Sequence, residues 1–153
     1  MSPSIDIVIV NWNSGEQLRE CLVSIDNAVN RDVFEISRVV VVDNASCDGS
    51  ADGLEELNLP LSIVRNTANR GFSAACNQGE AGSKADYLLF LNPDTYLKES
   101  SLTVPLCFME NDCNRHIGIT GIQLLNNNRE ISRTCARFPT PRMFIIKMLG
   151  LDR

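Results

Sequence analysis

Apolar residues follow two rhythms along the chain. Four short runs are nearly continuous: Ser4 to Val10, Arg38 to Val42, Leu61 to Val64 and Asp86 to Leu91. Runs of this length, rich in Val and Ile and bounded by polar turns, predict buried strands. Between them the spacing changes. Leu18, Cys21, Leu22 and Ile25 recur at helical intervals, and Ser14 with Gln17 three residues on predicts a capping box at the start of that helix. A short helix is expected around Leu54 and Leu57, and a small-residue helix over 72–81. A further helix is expected over 102–109, opening near Glu99 with Pro105 in its first turn. Beyond Gly118 the rhythm breaks. Ile117 to Gly121 predicts another strand, and 123–131 a small hairpin with a polar tip at Asn126-Asn127-Asn128.

Strands alternating with helices imply an α/β sandwich around a mostly parallel sheet. Ligands of such sheets bind beyond the carboxyl ends of the strands. Two carboxylates are expected at that edge. Asp43 follows four consecutive valines, and Asp94 follows Leu91-Asn92-Pro93 at the tip of the fourth strand. Asp43 alone reads equally well as a turn or cap residue. The second carboxylate on the same edge favours a site for a nucleotide and a hard divalent cation, which takes oxygen ligands from carboxylates and phosphates. Asn69-Arg70-Gly71-Phe72 precedes the small-residue helix. Its free backbone N–H groups suit an anion, and close packing alone would explain it too.

The 153 residues are 44% hydrophobic and 22% charged, a globular profile with room for one core. No apolar run approaches the ~20 residues that span a bilayer. With no secretory leader pattern at the start, the chain is expected in the cytoplasm, with the inner face of the plasma membrane as a second location. Six cysteines without a Cys-x-x-Cys pair, beside a single His, argue against a structural zinc site and for buried reduced thiols. The net charge of −5 is uneven. Residues 1–113 hold 7 basic and 17 acidic side chains, whereas residues 114–153 hold 7 basic and 2 acidic. The acidic part excludes nucleic acid as the main partner. The basic tail leaves peripheral membrane association open.

Several chemistries lack their signatures. No Gly-x-Gly-x-x-Gly follows the first strand, and neither a P-loop nor a Gly-x-Ser-x-Gly elbow is present. A nucleotidyltransferase would need a Gly-rich basic loop after the first strand, which Asn11 to Gly15 does not supply. What the chain does carry, in order, is Ile7-Val8-Ile9-Val10-Asn11-Trp12-Asn13-Ser14, Cys21-Leu22-Val23-Ser24-Ile25, Val41-Val42-Asp43-Asn44-Ala45-Ser46-Cys47-Asp48-Gly49-Ser50, Asn69-Arg70-Gly71-Phe72 with Asn77, and Leu91-Asn92-Pro93-Asp94. This ordered set resembles the N-terminal half of family 2 glycosyltransferases of GT-A fold. The Asn-Pro-Asp form, with Arg137-Phe138-Pro139 later, is most similar to rhamnosyltransferases of O-antigen-like surface polysaccharides.

The resemblance implies a GT-A, Rossmann-like three-layer α/β/α sandwich, truncated on its C-terminal side. Residues 1–153 would then form a donor-nucleotide-binding half without its acceptor half. It implies an inverting transfer of a sugar, rhamnose by closest similarity, from a dTDP- or UDP-linked donor to a saccharide or lipid-linked acceptor. Nucleotide-sugar binding would fall to Asn11, Asn13, Asp43, Asn44, Asn69, Arg70, Gly71, Asn92 and Asp94, with Mg²⁺ or Mn²⁺ on Asp94. Asn92 stands where many relatives carry the first Asp of an Asp-x-Asp motif, which implies weaker metal binding. The catalytic base of such enzymes lies downstream, beyond Arg153, so the chain alone is expected to be inactive. A non-catalytic remnant or nucleotide-binding module keeping the fold is the alternative. The apolar stretch 143–149 has two open readings: a helix packed in a complete domain, or an interfacial anchor flanked by Arg142, Lys147 and Arg153.

Overall fold

The computed structural model describes residues 2–126, 128–132 and 148. The chain divides into two compact units, Met1–Gly118 and Ile119–Arg153. The first holds a four-stranded sheet: β1 (Ser4–Asn11), β2 (Glu35–Asp43), β3 (Leu61–Arg65) and β4 (Tyr87–Leu91). The order is β3-β2-β1-β4, and every pairing is parallel. Helices α1 (Gln17–Ala28), α2 (Phe72–Glu80) and α3 (Thr103–Glu110) cover it.

The β-branched runs of β1 and β2 are buried on both faces, as parallel strands under two helical layers must be. Ile5, Ile7, Ile9, Val39 and Val41 face α1, whose Leu18, Cys21, Leu22 and Ile25 all have no solvent exposure. Leu102 and Leu106 close the same layer from the α3 side. The opposite face is thinner. Val40, Val42 and Ala75 of α2 form its core, with Val10 and Val64 against it. These two clusters are the layers of the predicted α/β/α sandwich.

On the α2 face, Asp6 interrupts the apolar run of β1. It is 1% exposed and bound by Arg38 Nε and Nη2 at 2.9 and 2.8 Å and by Ser83 Oγ at 2.7 Å. A buried carboxylate is tolerated because it is paired. Asp6 Oδ1 has no partner among the described residues.

Several expected elements differ. Ser14 does not cap α1. The helix starts at Gln17 with Glu16 at its N-cap and no side-chain cap, and the Ser14 hydroxyl turns to Asn11 Oδ1 instead. No helix forms around Leu54 and Leu57; that stretch is a series of turns with Leu54 buried. Its Gly53 lies in the left-handed region, which breaks helical continuity. β4 is an edge strand, not a doubly buried one. Leu88 and Phe90 are 37% and 48% exposed, because α2 lies across β1 and β2. Residues 117–121 are not a strand. The cysteines are not uniformly buried: among the described residues all five are free thiols, Cys21 and Cys76 buried, Cys47, Cys107 and Cys113 exposed.

In the second unit, Leu125 and Ile131 form one antiparallel bridge, and Asn126 N donates to Glu130 O at 2.9 Å. This is the expected hairpin at its smallest. Cys135, Arg137-Phe138-Pro139 and the stretch 143–149, apart from Met148, lie outside the described residues.

Candidate functional site: the carboxyl rim of the sheet

The chain runs from β1 out to β2 and β3, then returns past β1 to β4. The strand order therefore reverses at β1, with β2 on one side and β4 on the other. Sheets of this kind bind ligands beyond the carboxyl ends of their strands, at such a reversal. Register fixes what stands there. Asn11 ends β1 opposite Asp43 of β2, Asp43 stands opposite Arg65 of β3, and Ile9 pairs with Leu91 of β4. Asp43 and the Asn92-to-Asp94 turn thus flank β1 on one rim, on strands about 10 Å apart by ordinary spacing.

Asn11 is the buried hub of this rim, with no solvent exposure. Its Nδ2 donates to Asp43 Oδ1 at 3.0 Å, Ser46 Oγ at 3.1 Å and Ser50 Oγ at 2.8 Å. Its carbonyl accepts from Asn44 N at 2.8 Å. Asn13 is exposed and sits in the left-handed region at φ 52°, which Asn tolerates. Its N–H donates to Ser46 Oγ and its Oδ1 accepts from Cys47 N. The β1 and β2 loops are laced together by side chains. Between Asn44 and Ser46, Ala45 also holds a left-handed φ of 67°. A non-glycine residue there costs about 1–2 kcal/mol, and the surrounding hydrogen bonds enforce it.

Asp43 is 4% exposed. Its Oδ1 accepts from Asn11 Nδ2 and from Ser46 N at 3.4 Å. Oδ2 accepts no hydrogen bond among the described residues and lies 4.0 Å from Arg65 Nη1. Asn44, 2% exposed, spends its amide on the next loop: Nδ2 to Asn69 Oδ1 at 2.8 Å, and Oδ1 from Arg70 N at 2.9 Å and Asn66 Nδ2 at 3.2 Å. Asn66 and Gln78 of α2 exchange two amide bonds, at 2.9 and 3.0 Å. Asn69 Oδ1 also accepts from Gly71 N. Gly71, with φ 80° and ψ 160°, turns the chain into α2 through a conformation open to glycine. Asn69, Arg70 and Gly71 are thereby brought to the end of β2, with the exposed Arg70 guanidinium free of partners among the described residues.

Across β1, the turn 92–95 is closed by Thr95 N and Oγ1, both donating to Asn92 O, at 3.2 and 2.6 Å. Cys21 of α1 sits beneath it, its thiol 3.6 Å from Asn92 O. Burial pushes that thiol up to about 11; the Asp94 charge adds to the rise, and a Thr95 hydrogen bond opposes it. Leu97 N donates to the buried Ser24 Oγ at 2.9 Å. The turn is therefore pinned to α1, and Asn92 and Asp94 stand exposed on top of it.

Asp94 has no partner for its carboxylate among the described residues, and no group of three or more His, Cys, Asp or Glu side chains there could hold a metal. An all-protein cage does not fit. A cation that takes one carboxylate and draws its other ligands from phosphate and water oxygens does fit.

Sequence reading missed the residues that organise the rim. Ser46, Ser50, Asn66 and Gln78 carry no periodic signal. Arg65 had one: it ends a strand as Asp43 does. Two open clefts lie elsewhere, lined by residues that begin the strands. One holds Ser2, Pro3, Val33 and Glu110; the other, of about 600 Å³, holds Glu35, Ile36 and Pro60. Neither is lined by a rim residue.

Sheet order and crossing helices define an α/β domain with a parallel sheet whose strand order reverses at β1. Comparison with known proteins narrows this. The sequence profile of glycosyl transferase family 2 matches residues 6–144, and the chain belongs to that family. It is 30% identical over 92 residues to a dolichol-phosphate mannosyltransferase of Pyrococcus furiosus, covering 59% of this chain and 25% of that protein. In fold it is similar to the mannosyltransferase PcManGT from Pyrobaculum calidifontis, solved with GDP-Man and Mn²⁺. That match has a TM-score of 0.64 and 22% identity, over 73% of this chain and 34% of the other. It is also similar to S. aureus TarS 1–349 in complex with UDP-GlcNAc, with a TM-score of 0.56 and 23% identity, over 72% and 31% of the two chains. The fold is that of the GT-A glycosyltransferases. The chain spans about a quarter to a third of the length of these relatives.

Proposed function

We propose that residues 1–153 form the donor-binding part of an inverting glycosyltransferase that takes a nucleotide-diphosphate sugar. One observation carries this reading: parallel register sets Asp43 and the Asn92-to-Asp94 turn on the same rim, on either side of β1, at the switch point. The nucleoside lies over Asn11, Asn13, Asp43 and Asn44, with the loop of Asn69, Arg70 and Gly71 closing beside it. The diphosphate lies toward Asn92 and Asp94. Residues 1–113 are strongly acidic, so a diphosphate needs positive charge brought to it; Arg70 provides some. Asp94 would hold Mg²⁺ or Mn²⁺ together with diphosphate oxygens, and the bound cation would offset charge on the leaving diphosphate. The ligands named for PcManGT and TarS support a nucleotide-sugar donor.

In the transfer, an acceptor hydroxyl gives its proton to a base and attacks the anomeric carbon as the bond to the diphosphate breaks. We assign that base to a part of the enzyme outside these residues. Among the described rim carboxylates, Asp43, Asp48 and Asp52 are engaged in hydrogen bonds or ion pairs, and Asp94 faces the diphosphate. The same observation favours the alternative of a nucleotide-binding module that turns nothing over alone. The finer reading is a dTDP-linked rhamnose donor and a saccharide or lipid-linked acceptor in surface-polysaccharide synthesis. It is supported by the Asn92-Pro93-Asp94 triplet. Calorimetry tests the proposal. Wild-type chain with Mg²⁺ should bind dTDP or UDP, and Asp94→Ala should weaken binding about tenfold with Mg²⁺ and little without it. Absence of binding by a folded sample contradicts the reading. Competition among dTDP-rhamnose, UDP-GlcNAc and GDP-mannose ranks the sugar, and a first place for either of the latter two contradicts rhamnose.

A further inference from the structure

Ser24 carries the one buried hydroxyl of α1. The other buried residues of that helix are Leu18, Cys21, Leu22, Ile25 and Ala28. A hydroxyl among them costs stability unless it is hydrogen-bonded. Its Oγ donates to Cys21 O at 2.6 Å and accepts from Leu97 N at 2.9 Å. Cys21 lies three residues earlier, on the same helix face. Its thiol donates to Asn92 O at 3.6 Å and stands 3.9 Å from Thr95 Oγ1. The segment that carries Asp94 is therefore fastened to α1 at both ends, at Asn92 before it and at the buried Leu97 after it. Asp94 is exposed between these anchors, and no side chain among the described residues holds its carboxylate. Its place is set by the backbone beneath it, and α1 sets that backbone. The same helix is tied to the other half of the rim. In the loop that leads into it, Ser14 donates to Asn11 Oδ1 and Gly15 N donates to Asp48 Oδ2 at 2.9 Å.

We propose that Ser24, with Cys21 beside it, is a positioning residue for the cation: by holding the turn at Leu97 and Asn92, α1 keeps the Asp94 carboxylate where a divalent cation and a diphosphate can share it. This inference rests on the donor-binding reading above and deepens it by naming what makes nucleotide binding depend on metal. Neither side chain touches the donor or the cation. Packing alone would be met by Ala at position 24; the hydroxyl serves Leu97 N, which would otherwise be a donor left without a partner beside the core.

The test separates metal-dependent from metal-independent binding. UDP is titrated by calorimetry into the wild-type chain and into Ser24→Ala, each with and without Mg²⁺. In wild type, Mg²⁺ should tighten UDP about tenfold, a coupling between the two ligands. Ser24→Ala should cut that gain to about threefold or less, while its affinity for UDP without metal stays within about twofold of wild type. General loosening of the rim would weaken UDP equally with and without metal. A gain that stays near tenfold therefore overturns the inference and leaves the donor reading standing. If wild type binds UDP no better with Mg²⁺ than without, this inference falls together with the metal assignment, and the nucleotide site remains. A wild-type chain that binds none of UDP, dTDP and GDP removes all three. If Ser24→Ala does not fold, Cys21→Ala carries the same comparison. It releases the Asn92 end alone and should cut the gain at least about twofold; an unchanged gain there overturns the inference as well.

Discussion

Asp48 is fully exposed, yet its carboxyl is held below the ordinary aspartate value. The first cause is the Ser50 hydroxyl at 2.6 Å, then Ser50 N at 3.0 Å and Gly15 N at 2.9 Å. Asp86 is held down too, by Ser4 N at 2.9 Å and then Ser4 Oγ at 2.7 Å. The Ser50 bonds are local, whereas Gly15 N ties the β1 loop to Asp48 of the β2 loop, and both Ser4 bonds tie the start of β1 to the approach to β4. A depressed folded-state value means the charged form favours folding. That stability is present above the ordinary value of 3.8 and is lost as pH falls through the lower folded values. Melting temperature should therefore fall as pH drops below about 4, and the double variant Asp48→Asn, Asp86→Asn should flatten part of that fall. An acid slope identical to wild type in the double variant would contradict these roles.

Among the elements, α2 sits unusually close to the sheet, and Gly79 is the reason. A Cβ there would stand 2.4 Å from Val8 Cγ1 and 3.1 Å from Val42 Cγ2. Both valines are buried and stiff at χ1, so the helix must move instead. Gly79→Ala should cost about 1–3 kcal/mol, read as a lower urea midpoint. An unchanged midpoint would refute the close packing. The sequence made the elements of this layer legible but not their contacts. Continuous β-branched runs marked β1 and β2, since doubly buried strands need no polar face. The helical spacing of Leu18, Cys21, Leu22 and Ile25 marked α1. Small residues marked α2, although Gly79 itself has the same letter as a loop glycine. Tyr87 to Leu91 looked buried because composition does not reveal that α2 stops short of β4. The turns at Leu54 looked helical because the spacing of two leucines is weak evidence beside a left-handed glycine.

At the scale of the whole molecule, the rim was legible only as strand ends. Asp43 and Asp94 stand out because each closes an apolar run. The amide web of Asn11, Asn44, Asn66 and Gln78 does not, because polar side chains that meet through tertiary contact leave no period in the sequence. Buried and mutually satisfied amides fix the loops, while Asp94 and Arg70 stand exposed beside them.

The most direct measurement is amide NMR of the chain with dTDP or UDP and substoichiometric Mn²⁺, whose unpaired electrons broaden nearby signals. Nucleotide-dependent broadening should centre on Asp94 and Thr95 and reach Asn11 to Ser14 and Asn44. Signals at the opposite ends of the strands, near Ser4, Glu35 and Leu61, should stay sharp. Broadening centred on that opposite end, or no change when nucleotide is added, would contradict a donor site on this rim.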